Sequence, residues 1–201
     1  MQPDPVILAF DTSAAHCAAA LLCGDKIVAD RHEDMAKGQA ERLLPLLEEL
    51  LAAGGKTWSD LTAIGVGIGP GNFTGIRISV ATARGLALSL GVPAIGVSSL
   101  EAQVHGHAHP VWSLVDARRD HVYAQHFGST PQEPKLIPAG EAAALEGRKL
   151  GPAPIASPAP AIAHIAARKL ASGADHPRPA PLYIRAADAA PPRDPAPVIL
   201  P

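Results

Sequence analysis

The stretch Gly67-Ile68-Gly69-Pro70-Gly71-Asn72-Phe73-Thr74-Gly75-Ile76-Arg77 constrains the fold more than any other part of the sequence. It follows a short apolar run, Ala63 to Val66, and opens into a long segment of Ala, Leu and Val. This predicts a strand, a Gly-rich turn and a helix. Glycine lets backbone come close to whatever sits above the turn, and a helix starting near Thr74 points free N–H groups back at the loop. Two readings follow. Gly69, Gly71, Asn72 and Thr74 could cradle a phosphate at the edge of an α/β sheet, or the glycines could serve packing alone. The loop matches neither the dinucleotide fingerprint nor the Walker loop, which ends in Lys-Ser/Thr.

The 201 residues allow one domain or two small lobes, and 47% hydrophobic content supports a core. A net charge of −2 provides no global field for nucleic acid. Cys17 and Cys23, six apart, face one side of a regular strand and are too few for a disulfide framework. The sequence lacks an apolar run of membrane-spanning length, and no basic region precedes the first apolar one. A soluble, cytoplasmic protein is expected.

In chain order, Val6–Asp11 reads as a buried strand ending in Asp-Thr-Ser, and His16–Cys23 with Lys26–His32 as a hairpin around Gly24-Asp25. Asp11 and Thr12 are expected to bond local backbone N–H groups. Gln39–Ala53 reads as a helix stopped by Gly54-Gly55. Its apolar arc includes Ala40, Leu43, Leu44, Leu46, Leu47, Leu50 and Leu51, wider than one sheet contact needs. It would either be wedged between parts of its own chain or form a subunit interface.

Thr74–Leu90 reads as a second long helix, charged only at Arg77 and Arg84. Mid-helix Gly85 is expected to be required by close packing. Ala94–Val97 is a strand. Ser98 and Glu101 have the spacing of a capping box. His105, His107 and His109 have metal-like spacing, but Gly106 and Pro110 work against a regular helix and no fourth ligand is evident. Val111–Asp116 and His121–Phe127 read as strands, Ala139–Glu146 and Pro160–Ala171 as helices. Fifteen of the 21 prolines lie from Pro131 onward, so the tail from His176 should be mostly extended, with Leu182–Arg185 strand-like. The expected domains are an N-terminal lobe over 1–108, a smaller lobe over 109–175 and a Pro-rich tail over 176–201.

Five pieces in this order resemble the bacterial TsaB (YeaZ) family. They are Ile7–Ser13, Glu41–Pro45, Gly69–Arg77, Val115–Arg119 and Pro181–Arg185. The resemblance implies an α/β fold of the actin-like, sugar-kinase and heat-shock ATPase group, in two lobes with the second reduced. It implies a role in forming N6-threonylcarbamoyladenosine at position 37 of tRNA, as partner of a TsaD-type catalytic subunit joined by a TsaE-type ATPase. Catalytic sisters carry two metal-binding histidines at the positions of Ser99 and Gln103, so a non-catalytic subunit without metal or cofactor is expected, with a nucleotide only at a subunit interface. A small ATP-binding kinase or hydrolase of the same fold is the alternative. Lys37–Ala40, Asn72 and the short second lobe depart from the family pattern.

A four-helix contact with the partner is expected to use Leu43, Leu46, Leu47 and Leu50 of the first helix with Arg77, Val80, Ala81, Arg84 and Leu88 of the second. The same face would form a homodimer when the chain is alone. tRNA contact would come only through the complex, where Arg118, Arg119, Arg185 and Arg193 could add a basic patch, because phosphate neutralisation supplies most non-specific affinity. No membrane contact is expected.

Overall fold

A computed structural model describes residues 4–153 and 157–185. Strand β1 (Val6–Asp11) sits at the centre of the first sheet and is apolar from Val6 to Phe10 because both of its faces are covered. It pairs antiparallel with β2 (His16–Cys23), which pairs antiparallel with β3 (Lys26–Asp34). On its other edge it pairs parallel with β4 (Ala63–Gly67), which pairs parallel with β5 (Ala94–Val97). The order β3-β2-β1-β4-β5 makes a mixed sheet, antiparallel over the first three strands and parallel beyond them.

Period-two alternation sends Leu8 and Phe10 to one face and Ile7 and Ala9 to the other. The first face carries α1 (Gln39–Ala53) and α2 (Phe73–Leu90). Cys17 and Cys23 both lie on this side, and burial pushes the Cys17 thiol up to about 11, leaving it inert at neutral pH. Arg42 of α1 forks onto Glu33 and Glu49 (2.6–2.8 Å), tying the helix to β3 and holding both carboxyls below their ordinary range.

The opposite face is covered by α5 (Ala159–Ala171), through Ile162, Ala163, Ile165 and Ala166. This corrects the expected domain boundary: residues 159–171 belong to the first lobe. β1 and β4 are apolar on both sides, and without α5 one face would be bare. Gly65 of β4 admits the helix, since a Cβ there would press on Ala166 and Ile162 at 3.1 and 3.2 Å.

The second lobe is a sheet of order β8-β7-β6-β9. Its strands are β6 (Val111–Asp116), β7 (His121–Phe127), β8 (Lys135–Pro138) and β9 (Lys149–Leu150), with α4 (Ala139–Ala144) beside β7 and β8. Between the lobes, α3 (Ser99–Val104) gives Ala102 to the first core and Leu100 and Val104 to the second. Ser98 caps it by accepting from the Glu101 backbone N–H, but Glu101 does not complete a capping box. Its carboxylate accepts instead from Lys169 of α5 at 2.8 Å. Gly85 is corrected too. It is exposed and a Cβ there would meet nothing within 4 Å, so packing does not require it.

Candidate functional site

The carboxyl end of β1 and the Gly-rich loop after β4 lock together. Asn72 N–H donates to the Ser13 carbonyl at 2.6 Å, and Thr12 Oγ1 donates to the Gly75 carbonyl at 2.7 Å. A Cβ on Gly71 would overlap the Ser13 carbonyl, and one on Gly75 the Thr12 carbonyl. Packing against the chain's own backbone therefore uses the close approach these glycines allow. Asn72 is the N-cap of α2, its Oδ1 accepting from Gly75 N–H at 2.9 Å. Gly69 takes φ 87°, open only to glycine at low cost, and its carbonyl accepts from Ser99 N–H.

Above this junction lies an inter-lobe cleft of about 1080 Å³, lined by Pro70 to Thr74, by β1–β2 residues and by the second lobe. Its floor is polar and buried. Asp11 Oδ1 accepts from Ser13 N–H (3.0 Å), Ser13 Oγ (2.9 Å) and His16 Nε2 (2.7 Å). Because the carboxylate accepts, the proton of this bond sits on His16 Nε2. Asp11 thus bonds local backbone as expected, whereas Thr12 donates across to α2. His16 was not foreseen: the sequence signal was a lone polar ring opening an otherwise apolar strand. Ser13 donates to Asp11 and not to His16, so the three form no nucleophile relay.

The motif arginines, far apart in sequence, line the same cleft. Arg77 comes from α2, Arg118 and Arg119 from the β6–β7 turn, and Arg185 from the terminal segment. That segment returns across the loop: Leu182 N–H donates to the Ile68 carbonyl at 2.8 Å. Tyr183 stacks on Phe73 (5.1 Å between centroids), and Arg77 donates to the Tyr183 hydroxyl at 2.9 Å while lying 3.8 Å from the Phe73 ring. The segment pairs in no sheet, so the strand-like Leu182–Arg185 expected from the sequence is not a strand. Arg193 lies outside the described residues.

The expected partner face divides in two. Leu43, Leu46, Leu47 and Leu50 are 0–1% exposed in the chain's own core, and Val80 is 3% exposed, so none of the five presents a surface. The wide leucine arc of α1 is consumed by β2, β3 and neighbouring α2, the alternative the arc left open. Arg77, Ala81 and Arg84 are exposed along α2, and Leu88 is 82% exposed.

Ser99 Oγ lies 3.4 Å from Ser13 Oγ at the cleft. Gln103 also lines the cleft, but its amide oxygen is engaged: Oε1 accepts from Ser113 Oγ (2.6 Å) and Leu114 N–H (3.1 Å), pinning α3 to β6. The three clustered histidines take separate partners. His105 stacks on His164 of α5 (5.5 Å), His107 accepts from Arg148 (3.2 Å) and His109 Nδ1 donates to the Phe127 carbonyl (3.1 Å). Burial, then Arg168, His164 and His107, hold His105 below its ordinary 6.5. Its neutral form therefore stabilises the fold, in full above about pH 6.5, and that contribution falls as pH drops below it. Melts of His105→Gln are expected to lose less stability than wild type between pH 7 and pH 5; equal losses would rule the residue out.

Two α/β lobes packed around a polar-floored cleft define the actin-like, two-lobed class expected above. YeaZ from Pseudomonas aeruginosa shares the fold with a TM-score of 0.75 and 26% identity, over 89% of this chain and 99% of that one. A Pseudomonas aeruginosa protein described as similar to peptidase YEAZ gives 0.76 and 25%, over 90% and 100%. The family model described as TsaD, tRNA N6-adenosine threonylcarbamoyltransferase, matches residues 31–183. The tRNA threonylcarbamoyladenosine biosynthesis protein TsaB of Escherichia coli K12 is 38% identical over 122 residues, 58% of this chain and 52% of that protein. An uncharacterized protein of Mycobacterium tuberculosis is 32% identical over 205 residues, 92% of this chain and 94% of that one. The chain spans about half the length of the curated TsaB relatives it matches. It belongs to the TsaB (YeaZ) family, within the wider family that the TsaD model describes.

Proposed function

We propose that this chain is a non-catalytic partner subunit that binds a TsaD-type transferase in the formation of N6-threonylcarbamoyladenosine at position 37 of tRNA. The single observation behind the partner role is the outer face of α2. Phe73, Arg77, Ala81, Arg84 and Leu88 recur at helical spacing and are all exposed, with a large apolar side chain at each end. Leu44 and Pro45 of α1 are exposed as well and replace the buried leucines as its contribution. The face is small-residued at Ala81 and Gly85, where another helix can approach closely. Alone, the chain would pair through the same face with a second copy, and a TsaE-type ATPase and tRNA would join only the complex.

The non-catalytic assignment draws support from Gln103, whose amide oxygen is committed to Ser113 and Leu114, and from Ser99, a hydroxyl where the catalytic sisters place a ligand. The subunit would need no metal or cofactor of its own, with any shared nucleotide at the interface to the transferase.

Leu88→Glu and Ala81→Glu place charge on this face without touching the core. Both are expected to melt like wild type and to weaken self-association and transferase binding by roughly tenfold or more, the loss typical of a central interface contact. Light scattering and a pull-down with the transferase measure it. Wild-type association by both variants would sink the assignment.

A further inference from the structure

Three histidines and two arginines gather where α3 leaves the first lobe for the second, and the partner role uses none of them. His105 is the C-cap of α3 and stacks on His164 of α5, with 5.5 Å between ring centroids and 15° between planes. His107 closes the following turn through its N–H to the Val104 carbonyl (3.0 Å), and its ring accepts from Arg148 at 3.2 Å. Arg148 belongs to the second lobe, its carbonyl accepting from Trp112 N–H of β6 at 2.8 Å. Arg168 lies one turn beyond His164 on α5 and acts on His105 as well. The group therefore joins the end of α3, a helix of the first lobe and the edge of the second sheet.

The charges around His105 are one-sided. Arg168, His164 and His107 all disfavour a proton on it. Glu101, a turn earlier on α3, is engaged by Lys169 of α5 at 2.8 Å. From β6 and β7, Val111, Tyr123 and Phe127 pack with Val104 at this end of the helix.

The contacts differ in what a proton does to them. A guanidinium has no acceptor, so in the Arg148 bond His107 Nδ1 accepts and carries no proton. Protonation there turns the acceptor into a donor and sets two cations side by side. Charging His105 and His164 likewise makes their stack a like-charge pair. His109 Nδ1 already donates to the Phe127 carbonyl, so a proton on its other nitrogen leaves that bond intact. The Glu101–Lys169 bridge is equally indifferent to histidine charge.

We propose that this seam is a proton-operated hinge. With neutral histidines the end of α3 is held against α5 and Arg148. As they charge, both contacts let go and α3 pivots about the Glu101–Lys169 bridge. Ser99 and Gln103 of the same helix line the inter-lobe cleft, so the movement reaches the cleft wall. Imidazole is the side chain whose charge ordinarily changes between about pH 5 and 8, which sets the working range.

The test uses the full chain alone, so its result does not depend on partner binding. Amide hydrogen exchange, corrected for the intrinsic rate at each pH, is compared at about pH 7.5 and about pH 5.5, on either side of ordinary imidazole titration. Protection of the amides from Ala102 to His107 is expected to fall about fivefold more than that of β1, the scale of one like-charge contact near a surface. The double variant His105→Gln with His107→Gln stays neutral, and its amide oxygen can still accept from Arg148, so the excess loss should vanish. Arg168→Gln, at an exposed position, should reduce it, and this variant carries the test if the double variant melts below wild type. His126→Gln, stacked on Trp112 away from the seam, should respond as wild type. Parallel losses in α3 and β1 would mark general acid destabilisation and overturn the proposal. An excess that persists in both the double variant and Arg168→Gln overturns it too, as does one that disappears equally in His126→Gln.

Discussion

Gly75→Ala is expected to unfold the first lobe at temperatures where the wild-type chain is intact. Gly75 lies in the first turn of α2 and is buried against the end of β1. A Cβ there would overlap the Thr12 carbonyl, which is backbone and cannot rotate aside. Thr12 is itself fully buried, and its hydroxyl reaches the Gly75 carbonyl at 2.7 Å, so helix and strand end cannot separate without losing that bond. Overpacking at a rigid site costs about 3 kcal/mol or more, which for a chain of this size lowers Tm by roughly 6–12 °C. Gly85→Ala, in the same helix but facing open space, is expected to leave Tm unchanged or raise it, since alanine is the better helix former by about 1 kcal/mol. Thermal melts of the two variants make the comparison. Equal Tm values would show that the junction of loop and strand yields freely.

Leu46→Glu is expected to abolish folding, with no monomeric intermediate that merely fails to associate. Leu46 is 0% exposed in a cluster with Leu8, Phe10, Leu21 and Leu43. Truncation there to alanine would already cost about 2–5 kcal/mol, a large part of the roughly 5–15 kcal/mol that holds a domain together, and an unpaired buried carboxylate adds to it. Leu44→Glu, two residues away at 47% exposure, should stay within about 0.5 kcal/mol of wild type. Urea denaturation followed by circular dichroism separates the outcomes. A cooperative, near-wild-type transition for Leu46→Glu would return the buried arc of α1 to the surface.

How legible the molecule was depends on the range of the interactions involved. Strand and helix spans follow from local periodicity. β1, β2, α1, β5, β6 and β7 begin and end where alternation, helical spacing and the breaking glycines put them. Asn72 as N-cap and Ser98 accepting from Glu101 N–H are likewise local. The motif order placed the chain in its family, because those residues mark positions where backbone must come close or a chain must turn.

The cleft floor and mouth were less legible. His16 could be assigned only once β1 and β2 were paired in register, which brings its ring to Asp11. That Arg185 lines the same cleft as Arg77 and Arg118 depends on the terminal segment folding back over the Gly-rich loop.

The sequence by itself determined most of the elements and the family, since each rests on short-range pattern and on residues with few permitted conformations. Only the tertiary structure decided which apolar faces are core. α5 covers the second face of the central sheet, the leucines of α1 turn inward, and the outer face of α2 stays open. Burial is a property of what else comes to lie against a face, and an apolar arc reads the same in sequence whether its own chain or another one covers it.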